Sequence, residues 1–113
     1  MIDVAVIIVS WNVRNYLSDC LLSVAADLRA SRLRVEVWVV DNASTDGTVA
    51  LLEDLFPQVH VIANRTNAGF GAANNQGMRA AASSHPRYYF FLNPDTLVRP
   101  GAIGRLVKCL DER

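Results

Sequence analysis

The chain is short of most features that mark a specialised class. Only two cysteines occur in 113 residues, Cys20 and Cys109, and neither has a CxxC or Cys/His spacing around it. A disulfide framework and a zinc site are thereby excluded, and both are expected as reduced thiols in the core. That cysteine usage points to the cytoplasm. Neither charge sign dominates: 11 basic residues balance 11 acidic ones, which removes any general attraction to nucleic acid or anionic lipid. Long apolar runs are absent as well. The longest, Val4 to Val9, is far too short for a spanning or secretory segment. The two histidines, His60 and His85, have no acid or nucleophile at usable spacing, and Ser10 lacks the GxSxG elbow of a hydrolase. No charge block or low-complexity stretch divides the chain, so no internal boundary is expected.

What is present is a strict alternation. Val4–Val9 has no polar interruption and suits a parallel strand covered on both faces. Leu17, Cys20, Leu21, Val24, Ala25 and Leu28 then recur at three- and four-residue steps, predicting a helix over 13–30. Val35–Val40 is a second strand. The turn from Asp41 to Gly47 supplies capping residues, Asp46 among them, to a helix carrying Val49, Leu52, Leu55 and Phe56, which Pro57 ends. Val59–Ile62, with His60 among valines, reads as an edge strand. An Ala-rich helix runs from Phe70 to about Ser83, and Tyr88–Leu92 forms a fourth strand, apolar on both faces and read as buried. Pro100 opens a closing helix with Ile103, Leu106, Val107 and Leu110 on one face. Four βα pairs with parallel crossovers predict a three-layer α/β/α sandwich with a mostly parallel, Rossmann-like sheet in the order 3-2-1-4. The fourth strand should then want a neighbour that the chain does not contain, so the domain is expected to be truncated, with self-association through the open sheet edge as one consequence.

In such sheets ligands bind beyond the carboxyl ends of the strands. All four tips are polar: Ser10-Trp11-Asn12, Asp41-Asn42, Asn64-Arg65 with Asn67, and Asn93-Pro94-Asp95. Amides and carboxylates there can hydrogen-bond a base and ribose, Trp11 offers a stacking face, and Asp95 offers hard oxygen to a divalent cation shared with a diphosphate. Each tip also has a plain reading as loop chemistry, with Asp41 capping the Ser44 or Thr45 amide. Gly69-Phe70-Gly71 imitates a dinucleotide fingerprint, yet that motif belongs after the first strand, where no glycine stands. Gly69 and Gly71 are assigned to a tight loop, Gly77 to close packing of helix on sheet, and Asn74 or Asn75 to bracing the Asn67 loop or the donor site.

Four ordered strings, VIIVSWNVRNYLSDCLLSV, VWVVDNASTDGT, NRTNAGFGAANNQGM and YYFFLNPDTLVRPGAI, resemble the N-terminal, donor-binding half of family 2 glycosyltransferases of the GT-A fold, in the branch that includes rhamnosyltransferases. The resemblance implies that Ser10, Trp11 and Asn12 flank the nucleobase and that Asp41 contacts base or ribose. It places Asn67, Gly69 and Asn75 beside the donor, and sets Asn93 and Asp95 where the family's DxD acids hold Mg2+ or Mn2+ on a dTDP- or UDP-linked sugar. Asn93 stands at the first acid of that motif. The implied chemistry is inverting transfer to an acceptor hydroxyl of a glycan or lipid-linked sugar, with the general base lying beyond Arg113. The implied setting is cytoplasmic, at the inner face of the membrane for a full-length protein. The alternative, from the short length and missing base, is a non-catalytic α/β module that binds a nucleotide or a protein.

Overall fold

The computed structural model describes residues 1–113. The β-branched and aromatic runs form strands β1 (Val4–Ser10), β2 (Val35–Asp41), β3 (His60–Ala63) and β4 (Tyr88–Leu92). The segments with helical spacing form α1 (Arg14–Arg29), α2 (Thr48–Leu55), α3 (Phe70–Ala81) and α4 (Ala102–Asp111), with a single 3₁₀ turn at Ala82–Ser84. The sheet order is β3-β2-β1-β4, parallel throughout, as the alternation requires.

The side-chain period of two splits β1 between two cores. Val4, Val6 and Ile8 pack with Leu17, Cys20, Leu21 and Val24 of α1, Leu52 of α2, and Ile103 and Val107 of α4. Ala5, Ile7 and Val9 face the other way, toward Ala73 and Ala81 of α3. Right-handed crossovers demand this arrangement: stepping from β1 to β3 leaves α1 and α2 on one face, and the return to β4 carries α3 across the opposite one. Gly77 makes that crossing close. A Cβ at Gly77 would lie 2.7 Å from Ile7 Cγ2 and 3.1 Å from Val40 Cγ2, so the glycine is there for packing, as its sequence context suggests.

Several local expectations need correction. β4 pairs only with β1, as the order 3-2-1-4 requires, but Phe91 is 51% exposed where a buried strand is expected. Its apolar sequence therefore marks a half-buried edge here, not a covered strand. Pro100 does not open α4: the helix begins at Ala102 behind Gly101, whose φ of 83° makes the turn, and Leu106 on its expected buried stripe is exposed. Gly71 lies inside the first turn of α3 and not in the loop. Cys20 is buried, but Cys109 is exposed, because it falls on the outer side of an α4 that buries only Ile103 and Val107.

Candidate functional site

The sheet register brings the first three tips side by side: Ser10 pairs with Asp41, and Asp41 with Ala63. Asp41 is 1% exposed. Its Oδ1 accepts from Ser10 Oγ (2.9 Å) and Ser44 Oγ (2.6 Å), and its Oδ2 accepts from the Ser44 amide (2.9 Å). A buried carboxylate is tolerable only when so bonded. As placed, Asp41 organises the loop behind it, the capping role that its sequence position also allowed. The loop needs that support, since Ala43 is held at φ 62°, a left-handed conformation costing an alanine about 1 kcal/mol.

Asn12 joins the first tip to the second. Its own φ is 51°, which asparagine tolerates better than most residues. Its amide donates to Ser44 Oγ (2.8 Å), and its Oδ1 accepts from the Thr45 amide (2.8 Å). Asp46 ties two helix starts: Oδ2 accepts from the Arg14 amide (3.0 Å) and Oδ1 from the amide and hydroxyl of Thr48. Burial pushes the Asp46 carboxyl up, but the hydrogen bonds from the Thr48 hydroxyl and the Arg14 and Thr48 amides outweigh it and hold the group below its ordinary value.

The second tip is joined to the third through amides. Asn42, 2% exposed, donates to the Gly69 carbonyl (3.2 Å) and accepts from Asn64 Nδ2 (3.1 Å) and the Ala68 amide (3.2 Å). Asn64 and Gln76 exchange two further bonds at 2.9 and 2.8 Å. Asn67 Oδ1 accepts from the Gly69 amide at 2.8 Å, and Gly69 adopts φ 85° at the entrance to α3. Thus the brace for this loop is Gln76 and not Asn74 or Asn75, and Asn75 is exposed. Sequence reasoning missed Gln76. The available signal was a third amide, one step further along the same helix and directly before the close-packed Gly77.

The fourth tip is anchored differently. The β1–β4 ladder ends at Ile8–Leu92, and beyond it the Asn93 carbonyl accepts from the Thr96 amide (3.0 Å) and from Cys20 Sγ (3.9 Å). Burial, with the Asp95 charge nearby, pushes the Cys20 thiol up to about 11. Asp95 is exposed and its carboxylate accepts no hydrogen bond within the chain, so it is free to take a cation or a donor. No three His, Cys, Asp or Glu side chains converge anywhere. The donor set therefore fits a divalent cation only as a shared site, in which phosphate oxygens and water complete the coordination around Asp95.

The structure thus joins the tips bearing Ser10, Trp11, Asn12, Asp41, Asn67 and Gly69 directly, and holds Asn93 and Asp95 on a separately fastened loop. Trp11 is 56% exposed beside this platform. Two grooves lie away from the tips: one of about 510 Å³ is lined mostly by apolar residues of α1, α2 and β2, and one of about 410 Å³ runs between β4 and α4.

Residues 5–113 match the family described as Glycosyl transferase family 2. TuaG of Bacillus subtilis, named for teichuronic acid biosynthesis, is 32% identical over 113 residues, covering 97% of this chain and 42% of TuaG. The succinoglycan biosynthesis protein ExoO of Rhizobium meliloti is 33% identical over 110 residues, covering 96% of this chain and 30% of ExoO. The chain therefore spans less than half the length of these relatives. Among solved structures, residues 1–349 of S. aureus TarS superpose with a TM-score of 0.83 at 24% identity, over 98% of this chain and 33% of that one. A mannosyltransferase from Pyrobaculum calidifontis, solved with GDP-Man and Mn2+, gives 0.73 at 23% identity, over 95% and 31%. At such identities the superpositions speak for the fold, a GT-A-type α/β sheet. No helix is long and apolar enough to cross a membrane.

Proposed function

The chain belongs to glycosyl transferase family 2, and on that premise we propose that its strand tips are the donor platform of a glycosyltransferase, binding a nucleoside-diphosphate sugar with a divalent cation. The observation that carries this reading is the division of labour at the tips. Three loops are stitched into one rigid surface by Asp41, Asn12 and Asn42, whereas Trp11 and the Asp95 carboxylate are left free. A rigid surface with one aromatic face suits a base and ribose, since stacking needs no reorganisation of its platform. The free acid suits the diphosphate through its cation, which when bound would stabilise the departing nucleoside diphosphate.

Within this scheme the residues have distinct tasks. Trp11 stacks on the base, Ser10 and Asn12 line the base subsite, and Asp41 fixes the Ser44–Thr45 turn against them. Asn67, Gly69 and Asn75 border the donor at the start of α3, and Asn93 lies with Asp95 at the diphosphate. The reaction is inverting transfer of the sugar to an acceptor hydroxyl, on a glycan or a lipid-linked sugar at the inner face of the membrane. The base that takes the hydroxyl proton belongs outside these residues. Among the acids at the tips, Asp41 is buried, Asp46 caps two helices and Asp95 serves the phosphates.

Isothermal titration with UDP, dTDP and GDP, with Mn2+ and with EDTA, tests the proposal, and UDP-GlcNAc, GDP-mannose and dTDP-rhamnose extend it to the sugar. At least one diphosphate should bind, more tightly with Mn2+. Trp11→Ala removes an exposed ring without touching the core and should weaken that binding by about fivefold or more, since base stacking is worth about 1–3 kcal/mol. Absence of heat with every nucleotide in a folded sample would refute the reading.

A further inference from the structure

Helix α1 carries three polar side chains on its inner face, Cys20, Ser23 and Asp27, at spacings of three and four residues that bring them into one line. All three fasten the same stretch of chain, the β4–α4 connection that carries Asp95. Cys20 Sγ meets the Asn93 carbonyl at 3.9 Å, and Ser23 Oγ accepts from the Val98 amide at 2.9 Å. Asp27 accepts from the amides of Gly101 and Ile103, the latter at 3.3 Å. Asp27 is only 4% exposed and lies against the start of α4, where the helix dipole and unpaired amides favour an anion.

Beyond these bonds the connection is held by Val98, which packs on the core, and by Arg105, which donates to the Pro100 carbonyl at 3.4 Å. The connection's backbone is outside the sheet ladder, and its internal bonds are two isolated turns, Thr96 to Asn93 and Ala102 to Arg99. The opposite end of α1 is fixed to the first two tips, since the Arg14 amide is bound by Asp46. The helix therefore spans from the stitched base platform to the loop of the free acid.

We infer that Ser23 and Asp27 are positioning residues for donor binding: through α1 they set where Asp95 stands relative to the base platform, and so govern the cation-dependent part of the affinity. This rests on the donor reading above. Neither side chain touches the ligand; their effect is on the loop alone.

The test compares UDP, dTDP and GDP affinities of the 113-residue chain in Mn2+ and in EDTA, for wild type, Asp95→Asn, Asp27→Asn, Ser23→Ala and Ser23→Thr, with folding checked by circular dichroism. Wild type should show a gain from Mn2+ that Asp95→Asn abolishes. Asp27→Asn and Ser23→Ala should cut that gain by about fivefold to tenfold, the scale of one or two lost hydrogen bonds, and leave affinity in EDTA within about twofold. Ser23→Thr keeps the hydroxyl and should restore the gain. An undiminished gain in both Asp27→Asn and Ser23→Ala, with Asp95→Asn still abolishing it, overturns the inference and leaves the donor reading standing. Equal losses in Mn2+ and EDTA overturn it too, because they mark a general structural effect. If wild type shows no gain from Mn2+, the donor reading of Asp95 falls and the inference with it. Should Asp27→Asn fail to fold, the Ser23 pair decides the question.

Discussion

Replacing Gly77 by alanine sets two known effects against each other at the point where α3 crosses the sheet. Alanine in a helix interior gains about 1 kcal/mol over glycine. The added Cβ, however, would sit 2.7 Å from Ile7 Cγ2 and 3.1 Å from Val40 Cγ2, where ordinary contact begins at 3.4 Å. The shortfall is 3.4 − 2.7 = 0.7 Å on one side and 3.4 − 3.1 = 0.3 Å on the other. Neither neighbour is a flexible tip: both are fully buried on the two strands that α3 packs against. Relief must come from α3 lifting off, and overpacking of this kind costs about 1–3 kcal/mol. With rigid neighbours the upper part of that range applies, so a net loss of about 1–2 kcal/mol is expected after the helix gain is subtracted. An unfolding entropy of about 2.1 cal/mol/K per residue gives about 240 cal/mol/K for the chain, or a fall in Tm of about 4–8 °C. Gly71→Ala is the control, in the same helix with nothing within 4 Å of its Cβ, and should raise Tm slightly. Differential scanning calorimetry of the three proteins decides. If Gly77→Ala melts at or above wild type while Gly71→Ala behaves as stated, the account of α3 packing is wrong.

Three further outcomes follow from the site and its surroundings. Gln76→Ala breaks both bonds to Asn64 and should cost about 1–2 kcal/mol, seen as a lower urea midpoint with unchanged slope; no shift would mean that the pair is idle. The Asp46 carboxyl is held below its ordinary 3.8, so its stabilisation is complete above that pH and is lost as pH falls through the depressed native value. Asp46→Asn should therefore flatten the acid limb of a Tm-versus-pH series, with a residual slope from Asp3, which the Arg34 amide also holds low; an unchanged limb would refute the assignment. Finally, Cys20 is buried with its thiol raised from 9.0 to about 11, whereas Cys109 is exposed, so Ellman's reagent at pH 8 should find one thiol in the native chain and both only after denaturation. Two fast thiols would contradict the burial.

The sheet was legible because its cause is local: short apolar runs bounded by turn residues suit strands, and βα alternation with one handedness leaves few orders to choose from. The tips were legible as a set for the same reason, since the residue after each strand is fixed once the strand is. What sequence could not show is which polar group reaches which partner. Asn42 and Asn64 lie 22 residues apart, and Asp27 lies 74 residues from Gly101; such pairs exist only after the sheet has placed their elements. Asp27 in particular is a buried carboxylate on the inner face of α1 and reads as a misfit until α4 arrives to be capped. Pro100 misled because a proline at a helix start is ordinarily its first residue, whereas here Gly101, free to adopt a positive φ, takes the turn after it. β4 misled in its burial alone: its place beside β1 at the end of the order was expected, but its apolar composition describes a strand covered on both faces, and Phe91 is 51% exposed.

The two ends of the sheet are built to different standards. The amino end closes with surface chemistry: Arg87 pairs with Asp3 and Asp111, and Tyr88 donates to Asp111, contacts that add little because water competes for them. The carboxyl end instead holds Asn12 and Ala43 in left-handed backbone and buries Asp41 and Asn42. Of the three non-glycine residues at positive φ, only His85, which ends the 3₁₀ turn, lies away from the tips. A chain that needed only to be stable would gain from relaxing the tips, with glycine at position 43 and an apolar pair in place of Ser10 and Asp41. Strain and buried polarity concentrated at one end, with Asp27 and His85 the exceptions, and hydrogen-bonded there, are what a preorganised binding surface requires. The same expense would be unaccountable in a module whose tips met only water.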